Sequence, residues 1–212
     1  RHNFVLSKGH AVPALYSVLF NLNLISKKSF ESYREIGSKL QGHPDRTKLK
    51  YIELGTGALG QGLSVSIGFA LANSMLKKNR KSFCLIGDGE IQEGQIWEAA
   101  MYAGAHRINN LCVILDNNKM QNETYTKNTL DVMPLKKKWE AFNWKVLEID
   151  GHSYLEIHSA FKKFYNEKKR PTIIIANTVK GKGISFMENS ALWHSKVLNK
   201  KDYIKAKKEL TK

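Results

Sequence analysis

The sequence predicts an α/β fold, with a mostly parallel sheet flanked by helices. Four short apolar runs, at 82–86, 111–115, 145–149 and 172–176, have the length and composition of strands that are buried on both faces. Amphipathic stretches separate these runs. This alternation is typical of a parallel sheet, because parallel neighbours need a crossover connection and the crossover is usually a helix.

The helices are predicted in chain order from their start and stop signals. The first, at 12–25, has Pro13 near its start, where a missing N–H does no harm. Asn143 could supply a left-handed residue at the end of one later helix, and Pro171 stops another. The remaining predicted helices cover 62–76, 94–106, 135–144 and 154–169.

Length and composition indicate a protein without a membrane span. The chain has 212 residues, which suits one domain or at most two, and 42% of them are hydrophobic. No apolar run approaches the length of a membrane span, and no signal-like start is present, so a cytoplasmic location is expected. The chain opens at Arg1, so we expect residues to be missing upstream. Cys84 and Cys112 lie in apolar runs and are expected to be reduced core thiols.

The net charge of +15, from 34 basic and 19 acidic residues, leaves several interpretations open. Nucleic acid and anionic small substrates are both possible partners for a basic protein. The basic residues come in short clusters without interleaved aromatic residues or a nucleic-acid module, so nucleic acid is disfavoured. Solvated basic faces are the simplest explanation.

Polar loops follow two of the predicted strands, where ligands of parallel sheets bind. Gly87-Asp88-Gly89 leaves the first strand, and Asn118 follows the next strand about thirty positions later. The glycines allow the backbone to approach a ligand closely, and Asp and Asn oxygens suit Mg²⁺. The pair therefore predicts a magnesium site completed by phosphates of a substrate or cofactor.

The stretch GTGALG at 55–60 matches the glycine pattern of dinucleotide-binding proteins and follows a strand-like run at 50–54. The dinucleotide fingerprint also needs an acidic residue about 20 positions later, and none is present there. A tight glycine loop that contacts another ligand or another chain is therefore favoured over a nicotinamide or flavin site.

GDG followed about thirty residues later by the second Asn of an NN pair resembles the thiamine diphosphate motif. Six successive blocks, among them RHNFVLSKGH, LQGHPDR, GTGALGQG and TVKGKG, resemble the N-terminal, diphosphate-binding domain of transketolases. They run from about residue 2 to 195. The resemblance therefore implies one thiamine diphosphate-binding domain over 1–195 and a basic C-terminal tail over 196–212.

The resemblance also implies roles for individual residues. Thiamine diphosphate and Mg²⁺ (or Ca²⁺ or Mn²⁺) are the implied cofactors, and the metal ligands are the side chains of Asp88 and Asn118 and the carbonyl of Met120. The residues implied to line the cofactor–substrate channel, and so to take part in catalysis, are His10, His43 and His194. Those implied to contact the cofactor are His10, Gly57, Leu59, Gly87, Asp88, Gly89, Asn118 and His194. Glu93 and Glu98 match acids near the family's dimer interface, where they could share a proton.

The implied activity is transfer of a two-carbon ketol unit from a ketose phosphate to an aldose acceptor. The pyrimidine-binding domain that carries the activating Glu is absent from these residues, so the resemblance implies a separate C-terminal transketolase subunit, assembled as a dimer of such pairs. A fragment of a longer transketolase would look the same. The GHPG-like upstream segment is absent, and Glu123-Thr124 stand where the family usually has Asp-Gly.

Two other classes of function stay open from sequence. The chain could be half of another thiamine diphosphate enzyme, related to deoxyxylulose-phosphate synthase or to 2-oxo acid dehydrogenases. It could also be a non-catalytic basic binding protein.

Overall fold

The computed structural model describes residues 1–122 and 124–211, and the family departure at Glu123 lies outside them. Five strands form a parallel sheet in the order β1-β2-β3-β7-β6, and two short strands, β4 and β5, form an antiparallel pair. The strands are β1 (Asn3–Leu6), β2 (Ser82–Gly87), β3 (Leu111–Asn117), β4 (Met120–Gln121), β5 (Thr124–Tyr125), β6 (Lys145–Asp150) and β7 (Thr172–Asn177).

Helices connect the strands of the large sheet and cover both of its faces. They are α1 (Val12–Asn21), α2 (Lys27–Glu31), α3 (Gln61–Met75), α4 (Gly94–Ala105), α5 (Thr126–Thr129), α6 (Leu135–Ala141), α7 (Tyr154–Asn166) and α8 (Lys200–Leu210). The predicted parallel α/β fold is therefore confirmed. Each of the four predicted strands is present and one or two residues longer than expected.

Alternate residues of the strands enter different parts of the core, as a sheet with two covered faces requires. Val113 packs with α3, α4 and α6 in the largest hydrophobic cluster, which includes the fully buried Trp139 and Trp144. Its neighbour Cys112 packs on the opposite face with Phe164 of α7. Cys84 and Cys112 are both buried free thiols, as predicted.

Some boundaries and one predicted strand are wrong. The run at 50–54 forms turns, because Leu49 and Ile52 both point into the cluster around α1 and are three residues apart, a spacing that no strand supports. The helix predicted at 135–144 ends at Ala141, and Asn143 then adopts the predicted left-handed conformation with φ 63°. The helix predicted at 154–169 ends at Asn166, before Pro171 can act, because Glu167 is already extended and pairs with Lys145 at 3.2 Å.

The segment predicted as a basic tail, 196–212, contains α8. Ala206 of this helix is buried, and the backbone N–H of Ser185 donates to Glu209 Oε2 at 2.6 Å. The domain boundary at residue 195 stays a prediction. Within residues 1–122 and 124–211, no helix is both long enough and apolar enough to cross a membrane.

Candidate active site

The carboxyl ends of β2 and β3 lie side by side, since Gly87 is paired in register with Asp116. Asp88 follows directly and is only 3% exposed. Its carboxylate accepts hydrogen bonds from the backbone N–H of Gly89, at 2.8 Å, and of Lys119. Burial raises the pKa of Asp88 to about 6, and these two donors only partly oppose the shift. The side chain is therefore a buried acid that a cation would stabilise in its charged form.

Asn118 and Met120 line the same cavity as Asp88. Asn118 is 8% exposed; its Oδ1 accepts from the backbone N–H of Met120 at 3.0 Å, and its Nδ2 donates to Asp116 Oδ2 at 3.4 Å. Together with Asp88, these residues line one cavity of about 210 Å³. A carboxylate, an amide oxygen and a carbonyl form a hard donor set that fits Mg²⁺.

Most of the residues singled out from sequence meet at this cavity, which we call the diphosphate cavity. Those that line it are His10, Leu59, Gly87, Asp88, Gly89, Glu93, Asn118, Met120 and His194. His43, Gly57 and Glu98 lie outside it. A Cβ placed on Gly57 would lie 3.4 Å from the imidazole ring of His43, so these two residues pack against each other. Glu98 is exposed on α4, and the proton sharing suggested for it and Glu93 stays a prediction.

Two histidines and a lysine form a cluster at one side of the diphosphate cavity. The ring centroids of His10 and His194 are 5.3 Å apart, and His194 Nδ1 lies 3.1 Å from Lys180 Nζ. Partial burial, supported by the charges of Lys8, His194, Lys180 and His43, lowers the pKa of His10 to about 4. Burial, Lys180 and Lys8 also lower the pKa of His194. Both imidazoles are therefore neutral near neutral pH and can accept or donate a hydrogen bond.

Sequence reasoning missed several polar residues beside this cluster. Lys8 Nζ lies 2.6 Å from Asp116 Oδ2, and Thr178 Oγ1 donates to Asp116 Oδ1 at 2.5 Å. Burial alone would raise the pKa of Asp116, but Lys8 and these donors outweigh it and lower the pKa. Lys8 and Lys180 also line the diphosphate cavity. Their positions inside SKGH and TVKGKG, next to the glycines and histidines, were the available signal.

Within the described residues, no group of three or more His, Cys, Asp and Glu side chains is arranged to hold a metal ion. The expected ligand set contains only one such side chain, Asp88, and takes its other oxygens from an amide and a carbonyl. The set therefore differs from a zinc or carboxylate-cluster site, and its chemistry suits a cation that is shared with a phosphate group.

Comparison with known proteins identifies the family of this chain. The family described as "Transketolase, thiamine diphosphate binding domain" matches residues 1–211. An apulose-4-phosphate transketolase subunit of Phocaeicola vulgatus is 40% identical over 211 residues, which are 100% of this chain and 75% of that protein. The 6-deoxy-6-sulfo-D-fructose transketolase subunit SqwG of Clostridium sp. is 41% identical over 212 residues, which are 100% of this chain and 77% of that protein.

One-chain transketolases match over a smaller part of their length. The crystal structure of Campylobacter jejuni transketolase superposes with a TM-score of 0.93 at 34% identity, over 100% of this chain and 34% of that chain. Human transketolase is 39% identical over 204 residues, which are 94% of this chain and 32% of that protein. The chain thus spans about a third of these two transketolases and about three quarters of the two transketolase subunits.

The family match and the fold place the protein in the class of thiamine diphosphate-dependent enzymes. Within that class the chain belongs to the transketolase family and carries the family's thiamine diphosphate-binding domain. It is a transferase chain that corresponds to the N-terminal part of a transketolase.

Proposed function

We propose that this chain is the N-terminal subunit of a two-chain transketolase, which transfers a two-carbon ketol unit from a ketose phosphate to an aldose acceptor. The observation that carries the proposal is the meeting of Asp88, Asn118, Met120 and the His10–His194 pair around one cavity, in a chain that matches two transketolase subunits over most of their length. Those relatives are transketolases, which favours ketol transfer over the other thiamine diphosphate reactions.

The diphosphate cavity suits the cofactor's two phosphates and their metal. Asp88, Asn118 and Met120 would hold Mg²⁺ (or Ca²⁺ or Mn²⁺) through one oxygen each. Lys180 adds a half-buried cation near the same place, although partial burial and Lys8 lower its pKa. Gly87 and Gly89 allow close approach to the diphosphate, and Gly57 and Leu59 would contact the thiamine side. When bound, thiamine diphosphate supplies the nucleophilic carbon and the electron sink that ketol transfer requires.

The histidines would act on the sugar. His10 and His194 are neutral, so each can donate from one ring nitrogen and accept at the other, which suits hydroxyl groups and the proton transfers of the reaction. His43, packed on the glycine loop, would lie near the reacting carbon. These are the three side chains that we propose to be catalytic.

The site needs residues that these 212 do not supply. The Glu that activates the aminopyrimidine ring is expected on a pyrimidine-binding domain, and no residue of this chain can be given that role. We propose that a C-terminal transketolase subunit provides it and that two such pairs form a dimer. Glu93 and Glu98 are exposed and would lie near that dimer interface.

Purification from the native source under mild conditions, followed by mass spectrometry, tests the assembly. We expect a stoichiometric partner that contains a pyrimidine-binding domain, and ketol transfer by the complex in the presence of Mg²⁺ and thiamine diphosphate. Recovery of one long chain containing these residues would contradict the two-chain proposal. Recovery of this chain alone, without cofactor binding, would contradict a catalytic role.

Replacing Asp88 by Asn tests the metal ligand in the same complex. The amide is a weaker ligand for Mg²⁺ and carries no charge, so cofactor-dependent activity should fall by at least about a hundredfold, equivalent to about 2.7 kcal/mol. Glu140→Gln, which removes an exposed charge from α6, is the control and should leave activity unchanged. Equal activity of both variants would exclude Asp88 as a ligand.

A further inference from the structure

Glu90 is a buried carboxylate to which sequence reasoning gave no role. It is 2% exposed and lies two residues after Asp88. Its Oε1 accepts hydrogen bonds from Ser7 Oγ at 2.5 Å and from the backbone N–H of Gly60 at 3.0 Å. Its Oε2 accepts from the backbone N–H of Gly87 at 3.1 Å. One side chain therefore joins three segments that are far apart in sequence.

The three donors are all uncharged, and no salt bridge links Glu90 to a lysine, arginine or histidine in the described part of the chain. A buried carboxylate is costly unless its oxygens are hydrogen-bonded. Since hydrogen bonds to a charged group are stronger than neutral ones, the charge of Glu90 holds its three donors in place more firmly than a neutral side chain would.

The donors come from segments that surround the diphosphate cavity. Ser7 follows β1, Gly60 precedes α3 at the end of the glycine loop, and Gly87 ends β2 next to Asp88. The segments are already packed closely: a Cβ on Gly62 would lie 2.3 Å from Ser7 Oγ. Gly60 has φ +85°, and a Cβ there would lie 2.9 Å from the Cβ of Glu93. Close packing brings the segments together, and the hydrogen bonds to the carboxylate fix their relative positions.

We propose that Glu90 is a positioning residue, which holds the glycine loop at 55–60 against the 87–89 turn and so forms the diphosphate cavity before the cofactor arrives. The inference rests on the proposed cofactor site. A loop fixed in advance loses less conformational entropy when a ligand binds, so preorganisation raises affinity. Glu90 is expected to affect cofactor binding without touching the sugar.

Glu90→Gln in the native complex tests the proposal, because the amide has the same size and no charge. Its nitrogen cannot accept from the N–H of Gly87, so that hydrogen bond is lost. In saturating Mg²⁺, we expect the Kd of thiamine diphosphate, measured by calorimetry, to rise about tenfold or more. Hydrogen exchange at the amides of Gly60 and Gly87 should become faster. At saturating cofactor, kcat and the KM of the sugar should stay within about twofold of wild type.

Ser7→Ala and Asn110→Asp complete the design. Ser7→Ala removes one donor only, so a smaller rise in Kd is expected. In the Glu90→Gln background the amide oxygen can still accept from Ser7, but this neutral hydrogen bond is weaker, so Ser7→Ala should raise the Kd less there than in wild type. Asn110 is a buried polar residue that bonds Ala70 O at 2.8 Å, outside the diphosphate cavity. Asn110→Asp should lower the melting temperature and leave the Kd unchanged.

The outcomes separate this inference from the proposed function. A wild-type complex that does not bind thiamine diphosphate would contradict the proposed function. A wild-type complex that binds it, with unchanged Kd and exchange rates in both Glu90→Gln and Ser7→Ala, would overturn the role of Glu90. If Glu90→Gln does not fold, both measurements are made on Ser7→Ala. Faster exchange at Gly60 with a raised Kd would support the role of Glu90, and two unchanged values would overturn it.

Discussion

At the scale of single residues, the candidate site contains neutral imidazoles beside lysines. His10 has a pKa of about 4, compared with about 6.5 for an ordinary histidine. Between these two values the unfolded chain binds more protons than the folded chain, so folding stability falls as the pH decreases through this window and is fully present above it. The effect is small, because the residue reaches solvent in the isolated chain.

We predict that the titration of His10, followed by the NMR signal of its imidazole, will show a neutral ring down to about pH 5. The unfolding midpoint of His10→Gln should depend less on pH between about 4.5 and 6.5 than that of wild type. A His10 signal that titrates near the ordinary value of about 6.5 would contradict the predicted environment.

Lys8→Met separates the effect of charge from that of burial. The charge of Lys8 lowers the pKa of both His10 and His194, so removing it should raise both. The same NMR titration measures the change. Lys200→Met, on the exposed start of α8, is the matched control and should shift neither histidine. Unchanged pKa values in Lys8→Met would mean that burial and the remaining charges, and not Lys8, keep the rings neutral.

At the scale of elements, helix α4 packs closely against the residues that follow α6. Gly104 in α4 leaves no room for a side chain, since a Cβ there would lie 1.6 Å from the carbonyl oxygen of Phe142. Gly104→Ala would force α4 away from the residues after α6, where Trp144 Nε1 donates to Ala100 O at 2.8 Å. We predict a loss of about 1–3 kcal/mol in the free energy of unfolding, measured by urea titration.

Gly68→Ala is the matched comparison for that measurement. Gly68 is exposed within α3 and a Cβ there has no neighbour within 4 Å. The substitution should stabilise the protein by about 0.5–1 kcal/mol, because alanine loses less entropy than glycine on forming a helix. If both variants lost stability equally, crowding at Gly104 would not be the cause.

The elements that could be predicted from sequence are those with a clear local pattern. Buried strands such as β3 are continuous apolar runs, so their presence could be read directly. β1 is only four residues long, which is too short to show a pattern of alternating or continuous apolar residues, so it was not predicted. Whether Leu49 and Ile52 belonged to a strand or to turns depended on the cluster around α1, which no local pattern describes.

The candidate site was predictable where its residues follow strands. Asp88 and Asn118 stand at strand ends, and parallel strand ends share one edge, so sequence alone could bring them together. Glu90 and Lys8 depend on partners that are 83 and 108 residues away, Ser7 and Asp116. Such pairs form only when the whole sheet is assembled. Their roles could therefore not be predicted from the local sequence.

At the scale of the whole molecule, the diphosphate cavity combines two buried acids, Asp88 and Glu90, with two lysines, Lys8 and Lys180, on a chain of net charge +15. In the proposed function, thiamine diphosphate would bring negative charge next to Asp88, and the anion and the carboxylate would repel each other unless a divalent cation lay between them. The protein should therefore bind Mg²⁺ and the cofactor together much better than either alone.

Thermal unfolding of the native complex tests this coupling. A ligand present at about 100 times its Kd stabilises the folded state by about 2.7 kcal/mol, which raises the melting temperature by roughly 5–10 °C for a chain of this size. We predict such a rise with Mg²⁺ and thiamine diphosphate together, and less than about 2 °C with either one alone. In Asp88→Asn the joint rise should shrink to the single-ligand level, while Glu140→Gln should behave as wild type. An equal rise with the cofactor in the presence of a chelator would mean that the lysines, and not a cation on Asp88, hold the diphosphate.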